Sequence, residues 1–447
     1  MKKTKSTPKT YILDTNILMN TEGRVLFGFD DNVVCITTTT LEELDHLKTA
    51  PAEKGFQARE SIRQINSIIE TAPQDIKYGV KINDNKGYFV ILDEKTTDSI
   101  PKSWDSSHPD NRIISTVISY IKDYPERDAI LVTNDVSMKI KGLVLGLKVE
   151  SYRNDQVKEE NQYSGRRVSG VPIDDINKLY KDKEIWAEGY CENEFVHVTD
   201  NVQGNALCIF KKNALQLISD VKQVFGITPK NQGQRFALEA LMAPADEIPL
   251  VVIKGPAGTG KTLLSLAAAL DQTYDNDAEY DRVMISRANI LADEEMGFLP
   301  GDLSEKMMPL LGSFTDNLRY LLGANGEEKD QINIQLEDMF ATGVIEALSL
   351  AYLRGRSPIK SYVIIDEAQN LTRHQVKTIV TRMGEGCKLV FLGDPNQIDN
   401  PKLDKRNNGL AYLSERFKGS ELCAQIEFLP SESVRSPLVL EALERLD

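Results

Sequence analysis

The segment Gly255-Pro256-Ala257-Gly258-Thr259-Gly260-Lys261-Thr262 has the spacing GxxxxGK[ST]. It stands directly after the apolar run Leu250-Val-Val-Ile253 and leads into a helix-forming stretch from Leu263 to Leu270. That pattern suits phosphate chemistry. Glycines let backbone N–H groups approach a β-phosphate, and the helix N-terminus adds partial positive charge. Lys261 reaches the β- and γ-phosphates, and Thr262 is placed to ligate Mg²⁺. A second apolar run, Tyr362-Val-Ile-Ile365, ends in Asp366-Glu367. Two carboxylates at a strand end read as a Walker B element, in which Asp366 holds Mg²⁺ through water and Glu367 orients the attacking water. A third run ends in Leu392-Gly-Asp394-Pro-Asn-Gln397, where Gln397 can sense a γ-phosphate or the residues can simply form an Asp-Pro-Asn turn. The expected chemistry is ATP hydrolysis with Mg²⁺.

Four carboxylates in the first third of the chain suggest a different chemistry. Asp14 follows the run Tyr11-Ile-Leu13, Glu43 lies just inside the helical stretch after Val33-Val-Cys-Ile36, Asp110 opens a helix, and Asp135 follows Ala129-Ile-Leu-Val-Thr133. Carboxyl ends of parallel strands share one edge, so these acids are expected to converge. Clustered carboxylates repel one another unless hard divalent cations, Mg²⁺ or Mn²⁺, sit among them, and a two-metal site suits phosphodiester hydrolysis. Asn16 and Thr133 are placed to orient ligands. Structural roles compete at each position. Thr40-Leu-Glu-Glu43 fits a capping box with Thr40 as N-cap, Asp110 behind Pro109 reads as an N-cap, and Asp105 is a rival third acid. His46, His108, His197 and His374 are too dispersed for a histidine metal site, and Lys48, Arg59 and Arg63 form either a nucleic-acid contact or a solvated face.

The elements that must position these groups alternate short apolar strands with helices in both halves, which predicts an α/β chain with two mainly parallel sheets. The polar run from Ser151 to Gly170 marks a boundary. Beyond it Asp174 is expected to cap a short helix, and Glu194-Phe-Val-His-Val198 and Ala206-Leu-Cys-Ile-Phe210 bracket a turn. The domains are expected at 1–150, with a linker and small β connector at 151–212 and a P-loop (RecA-like) domain at 213–447. A length of 447 residues exceeds a single core, and 41% hydrophobic with 27% charged residues excludes a disordered chain. A net charge of −14 excludes bulk electrostatic coating of nucleic acid, so any such site must be a local groove. The five scattered cysteines form no CxxC pair and suit buried hydrophobes. Apolar runs are too short for a membrane span, and a cytoplasmic chain is expected.

The C-terminal motifs together resemble the PhoH ATPase family, related to superfamily 1 helicases. They are Thr228-Pro-Lys-Asn-Gln-Gly-Gln234, the P-loop, Ser286-Arg287-Ala288, Gly297-Phe-Leu-Pro-Gly-Asp-Leu303, Leu353-Arg354-Gly-Arg356, Asp366-Glu-Ala-Gln369, Thr381-Arg-Met-Gly384, Gly393-Asp-Pro-Asn-Gln397 and Val434-Arg435-Ser436. The resemblance implies that Gln234 reads the adenine edge, and that Arg435, Arg354 or Arg356 acts as an arginine finger; a surface ion pair is the alternative for each arginine. Ser286-Arg287-Ala288 departs from the commoner Arg-Pro pair. Asp14-Thr-Asn16, Leu41-Glu-Glu43, Asp110-Asn-Arg-Ile113 and Val132-Thr-Asn-Asp135 resemble the acidic motifs of PIN-domain nucleases across 10–150. The fusion resembles PIN–PhoH proteins, which implies unwinding of single-stranded RNA coupled to its cleavage in a homo-oligomeric, hexameric ring. An ATP-switched RNA-binding module with a non-cutting acidic pocket is the alternative, and a small-molecule kinase is the third.

Overall fold

A computed structural model of the chain describes all residues except 1–7, 22, 30–31, 51, 76–77, 83–86, 98–99, 153–162, 201, 203, 219–222, 275–277, 289–311, 349–355, 401–402, 406 and 435–447. The chain divides into two compact units, Met1–Asp155 and Gln156–Asp447.

The first unit runs β1 (Thr10–Leu13), α1 (Thr15–Thr21), β2 (Val33–Thr37), α2 (Thr38–Leu47), α3 (Ala52–Ile69), β3 (Val80–Lys81), β4 (Tyr88–Leu92), α4 (Pro109–Asp123), β5 (Ala129–Val132), α5 (Val136–Val144) and β6 (Val149–Glu150). The sheet order is β3-β4-β2-β1-β5-β6. Only the β3–β4 pair is antiparallel. The runs read as strands are apolar on both faces because helices cover both. Leu13, Val34, Ile36 and Val132 pack with Ala58, Ile65 and Ile68 of α3, while Ile12, Cys35 and Leu131 pack with Ile113, Ile114 and Val117 of α4. Each fully buried side chain of this kind contributes about 1.5–3 kcal/mol by leaving water. With β1 between β2 and β5, the carboxyl ends that carry Asp14, the start of α2 and Thr133-Asn-Asp135 lie at one edge.

The second unit opens with β7 (Arg166–Gly170), α6 (Ile173–Asp182), β8 (Glu184–Trp186), β9 (Phe195–Thr199), β10 (Asn205–Lys211) and β11 (Ala214–Leu217), a five-stranded sheet of order β7-β9-β10-β11-β8. The turn between β9 and β10 is organised by Asp200, whose Oδ1 accepts from Val202 N at 2.9 Å and Gly204 N at 2.8 Å. The N-cap of α6 is Pro172, so Asp174 is a first-turn acid rather than the cap. The sheet continues to Leu217, past the expected connector limit of 212, and Phe195, Leu207 and Ile209 enter the same core as the P-loop body.

That body runs α7 (Gln232–Met242), β12 (Leu250–Lys254), α8 (Lys261–Asp271), β13 (Arg282–Arg287), α9 (Gly312–Ala324), α10 (Lys329–Ala341), β14 (Ile345–Ala347), β15 (Ser361–Asp366), α11 (Arg373–Val380), β16 (Lys388–Gly393), α12 (Gly409–Arg416) and β17 (Cys423–Glu427). The sheet is wholly parallel, in the order β14-β13-β15-β16-β12-β17. Alternate residues of each strand divide between two cores. Val251, Ile253, Ile364 and Val390 face α7, α8 and α9, whereas Val252, Val363, Ile365 and Phe391 face α11 and α12. The five cysteines are free thiols, and four are buried. No helix among the described residues is long and apolar enough to cross a membrane.

Candidate functional site

The P-loop geometry follows from its glycines. Gly255 has φ 143° and a Cβ there would stand 2.6 Å from Phe428 Cβ, so only glycine fits where the loop leaves β12. Gly260, at φ 92°, supplies the left-handed N-cap of α8. Lys261 Nζ donates to the carbonyls of Gly255 at 2.6 Å and Pro256 at 3.0 Å, which folds the cation back over its own loop. Buried Thr259 donates its hydroxyl to Pro256 O at 2.9 Å. Gln234, near the start of α7, spends its amide on backbone: Nε2 donates to Thr259 O at 3.1 Å and Oε1 accepts from Lys230 N at 2.8 Å. The structure thus places Gln234 against the phosphate loop.

The order β15-β16-β12 sets the Asp366-Glu367 end and the Asp394–Gln397 turn beside the P-loop. Thr262 Oγ1 donates to Asp366 Oδ2 at 3.2 Å. Burial pushes the Asp366 carboxyl up, Glu367 adds to this, and Arg287 and the Thr262 hydrogen bond oppose it. A buried carboxylate raised by its surroundings and touching the P-loop hydroxyl fits a divalent cation, which would be held by Thr262 and Asp366. Glu367 adopts φ 55°, a left-handed conformation costing about 1 kcal/mol for a residue with a Cβ. Its N–H is held by Asp366 Oδ1 at 2.9 Å. Its carboxylate pairs with Arg287 Nη2 at 3.0 Å and accepts from Gln369 Nε2 at 2.6 Å. Fully buried Gln369 also donates to Gln397 O at 2.8 Å and accepts from Asp394 N at 3.1 Å, which ties the two strand ends together. The Gln397 side chain is exposed.

Sequence reasoning assigned no role to Arg287, Gln369 or Glu432. Gln369 lies within a quoted motif, but Glu432 carried no signal. Buried Glu432 accepts from Gly233 N at 2.9 Å and from Arg166 Nη1 at 2.7 Å, and so links β7 to the start of α7. Among the arginines named as fingers, Arg356 is an exposed ion pair with Glu346, while Arg354 and Arg435 lie outside the described residues, as does the Gly297–Leu303 motif.

In the first unit Asp14 is buried and accepts from Thr133 Oγ1 at 2.7 Å. Burial pushes it up to about 7, with Asp110 and Glu43 adding repulsion. Glu43 accepts from Thr15 Oγ1 at 2.5 Å and is also raised, by burial first and then by Asp110. Asp110 thus adds to the upward shift of both Asp14 and Glu43, after burial. Asn16 Oδ1 is enclosed, with no hydrogen-bond partner among the described residues. Lys141 Nζ stands 3.9 Å from Asp110 Oδ2, a cation beside an acid at the candidate site.

The capping assignments shift. The N-cap of α2 is Thr37, accepting from Thr40 N at 3.1 Å, so Thr40 is not the cap and Glu43 is released from the capping box. The N-cap position of α4 is His108, with Pro109 and Asp110 inside the first turn, so Asp110 is not a cap. Of the four acids Asp135 is the one that caps a helix, α5: it is exposed and accepts from Met138 N at 2.7 Å, and its own N–H donates to Thr133 Oγ1 at 3.0 Å. Asp105 accepts from Ser107 N and Oγ in the turn before α4, which accounts for the rival acid. Lys48 and Arg63 pair with Asp45 and Glu60 on an exposed face. Asp14, Glu43 and Asp110 fit a divalent cation in kind. Among the described residues, however, no three acids, imidazoles or thiols stand close enough together to hold one.

A family model described as PhoH-like protein matches residues 226–447, and one described as PIN domain matches residues 11–153. Protein PhoH2 of Bacillus subtilis is 36% identical over 449 residues, covering 95% of this chain and 97% of that protein. Protein PhoH2 of Mycolicibacterium smegmatis is 28% identical over 454 residues, with 99% and 98% covered. The PhoH-like protein of B. subtilis is 36% identical over 256 residues, 57% of this chain and 75% of that protein.

Proposed function

Because the chain belongs to the PhoH2 family, with an N-terminal PIN domain and a C-terminal PhoH-like P-loop domain that binds nucleotide, we propose that it couples ATP-driven unwinding of RNA to metal-dependent endoribonucleolytic cleavage. The observation that carries this reading is the placement of buried Asp14 and half-buried Glu43 at the carboxyl edge of the PIN-domain sheet, each held by a threonine hydroxyl, in a chain that also holds the P-loop and Asp366-Glu367. Carboxylates raised by burial in this way cluster at functional sites.

At the ATPase site Lys261 leaves the Gly255 and Pro256 carbonyls for the β- and γ-phosphates of ATP. Thr262 and Asp366 hold Mg²⁺, Glu367 orients the attacking water, and Gln369 keeps Gln397 in register with Glu367. An arginine from a neighbouring copy, Arg435 or Arg354, completes the charge stabilisation, which requires a homo-oligomer and suits a hexameric ring. At the acidic site Thr133 fixes the orientation of Asp14, and a bound Mg²⁺ or Mn²⁺ would have to draw Asp14, Glu43 and Asp110 closer together to be held by them, with Asn16 Oδ1 as a further oxygen. Bound there, a divalent cation supplies positive charge to a scissile phosphate and its attacking water. Asp135 steadies α5 at the rim, and single-stranded RNA is the substrate.

A second reading is favoured by a specific observation: among the described residues no three acids stand within reach of one cation, and Asp135 serves as the cap of α5. On that reading the acidic pocket does not cut and the chain is an ATP-switched RNA-binding protein. The separating experiment is degradation of labelled RNA by the purified chain, with Mg²⁺ or Mn²⁺, with and without ATP, beside Lys261→Ala, Asp14→Asn and Asp110→Asn. Cleavage lost in the Asp variants with ATPase retained supports the nuclease. Cleavage intact in both Asp variants, or absent from the wild type while RNA binding depends on ATP, selects the switch. Sedimentation of the full chain with ATP tests the ring.

A further inference from the structure

Glu367 is gripped from two sides. Arg287, the last residue of β13, holds Oε1, and Gln369 holds Oε2. A carboxylate engaged at both oxygens, one of them by a guanidinium, has less room to accept from water than an open one. The backbone enforces the contact. Arg287 stands opposite Asp366 in the parallel pairing of β13 with β15, and Ala288 N donates to Asp366 O at 2.9 Å.

The guanidinium is only partly used. Its Nε–H is enclosed and meets no acceptor among the described residues, although the side chain remains 31% exposed. The part of the guanidinium open to solvent, not the enclosed Nε–H, is what a phosphate oxygen would approach, and its planar fork suits that ligand. The strand order favours an oxygen other than the nucleotide's own. In the order β13-β15-β16-β12 three strand spacings, about 14 Å, separate β13 from the strand that feeds the P-loop.

We propose that Arg287 is a positioning residue that latches Glu367 in the resting site and releases it when a phosphodiester backbone takes its guanidinium. The proposal rests on the reading of the P-loop half as an ATPase with Glu367 as the water-orienting residue. Release exchanges an Arg–carboxylate pair for an Arg–phosphate pair and leaves Glu367 to Gln369 and water.

The test is steady-state ATPase of the full chain, comparing wild type, Arg287→Ala, Arg287→Gln and Arg287→Lys, each alone, with poly(U) and with inorganic polyphosphate. The latch predicts that Arg287→Ala and Arg287→Gln raise basal kcat about fivefold, the order expected for losing one half-exposed ion pair, with KM for ATP little changed. Arg287→Lys falls between these variants and wild type. Poly(U) should raise wild-type kcat and leave the Ala and Gln variants unmoved. Stimulation by polyphosphate but not by poly(U) overturns the nucleic-acid source, and no stimulation by either overturns release by phosphate. A basal kcat that falls in both the Ala and Gln variants and recovers in Arg287→Lys overturns the latch. Arg287 would then support hydrolysis by keeping Asp366 charged. Glu367→Gln measured alone separates the two levels: full turnover in it refutes the ATPase role of Glu367, whatever Arg287 does.

Discussion

Replacing Asp14 by Asn should make the protein's pH dependence of stability flatter. Asp14 is raised from the usual 3.8 to about 7 by burial and by the Asp110 and Glu43 carboxylates. Between those values the folded chain keeps a proton that the unfolded chain has released, so wild-type stability falls as pH rises through the window. Each pH unit well inside it is worth about 1.4 kcal/mol and the slope fades near pH 7, so from pH 5 to pH 7 the wild type should lose about 2 kcal/mol relative to Asp14→Asn. In a domain of this size that is a Tm difference of about 5–10 °C. Asn keeps an acceptor for the Thr133 hydroxyl, so the contact that fixes residue 14 survives. Calorimetry of the full chain at pH 5, 6, 7 and 8, without divalent ions, reads the first unit's transition directly. Repeating the pH 8 scan with Mn²⁺ should restore the wild type and leave Asp14→Asn unmoved. Parallel pH profiles for the two proteins would show that Asp14 ionises without strain and remove the argument for a cation there.

Lys261→Ala should lower ATP turnover by about 100-fold or more, since one charged donor aimed at the reacting phosphate is worth that much; normal turnover would exclude the P-loop from the reaction. Glu367→Gln should bind ATP as the wild type does and hydrolyse it slowly, so that nucleotide recovered from the protein is ATP rather than ADP. Asp135→Ala should cost about 1 kcal/mol in denaturant unfolding and Asp135→Asn only a few tenths, because Asn caps α5 nearly as well; if Asp135→Asn nonetheless stops RNA cleavage, Asp135 is a ligand as well as a cap. Glu432→Ala takes from Arg166 its carboxylate partner and from the Gly233 N–H its acceptor in a closed environment, which should cost about 3 kcal/mol and raise KM for ATP through Gln234 and Thr259; an unchanged urea midpoint would contradict that.

The phosphate-binding loop was legible in the chain because its chemistry is local. Gly255, Gly260, Lys261 and Thr262 are contiguous, and left-handed backbone at the glycines and the helix behind them follow from residue type. The same holds for the Tyr362–Asp366 strand, whose unbroken apolar run already says that both faces are covered. Caps were less legible. Thr37 and Thr40 are both competent N-caps three residues apart, and Pro109-Asp110 satisfies an N-terminal pattern whichever residue takes the cap position, so propensity could not choose between them. The remaining contacts are matters of strand order. Asp14 receives the Thr133 hydroxyl, and shares a sheet edge with the start of α2, only because β1 lies between β2 and β5. Arg287 reaches Glu367 only because β13 pairs with β15, and Gln369 spans to Gln397 only because β16 is inserted between β15 and β12. Residue types therefore announced which groups could do chemistry. Which groups face one another, and how far burial and neighbouring charge move a proton, is decided by pairings between residues from about 30 to more than 100 positions apart, for which a linear pattern holds no distance.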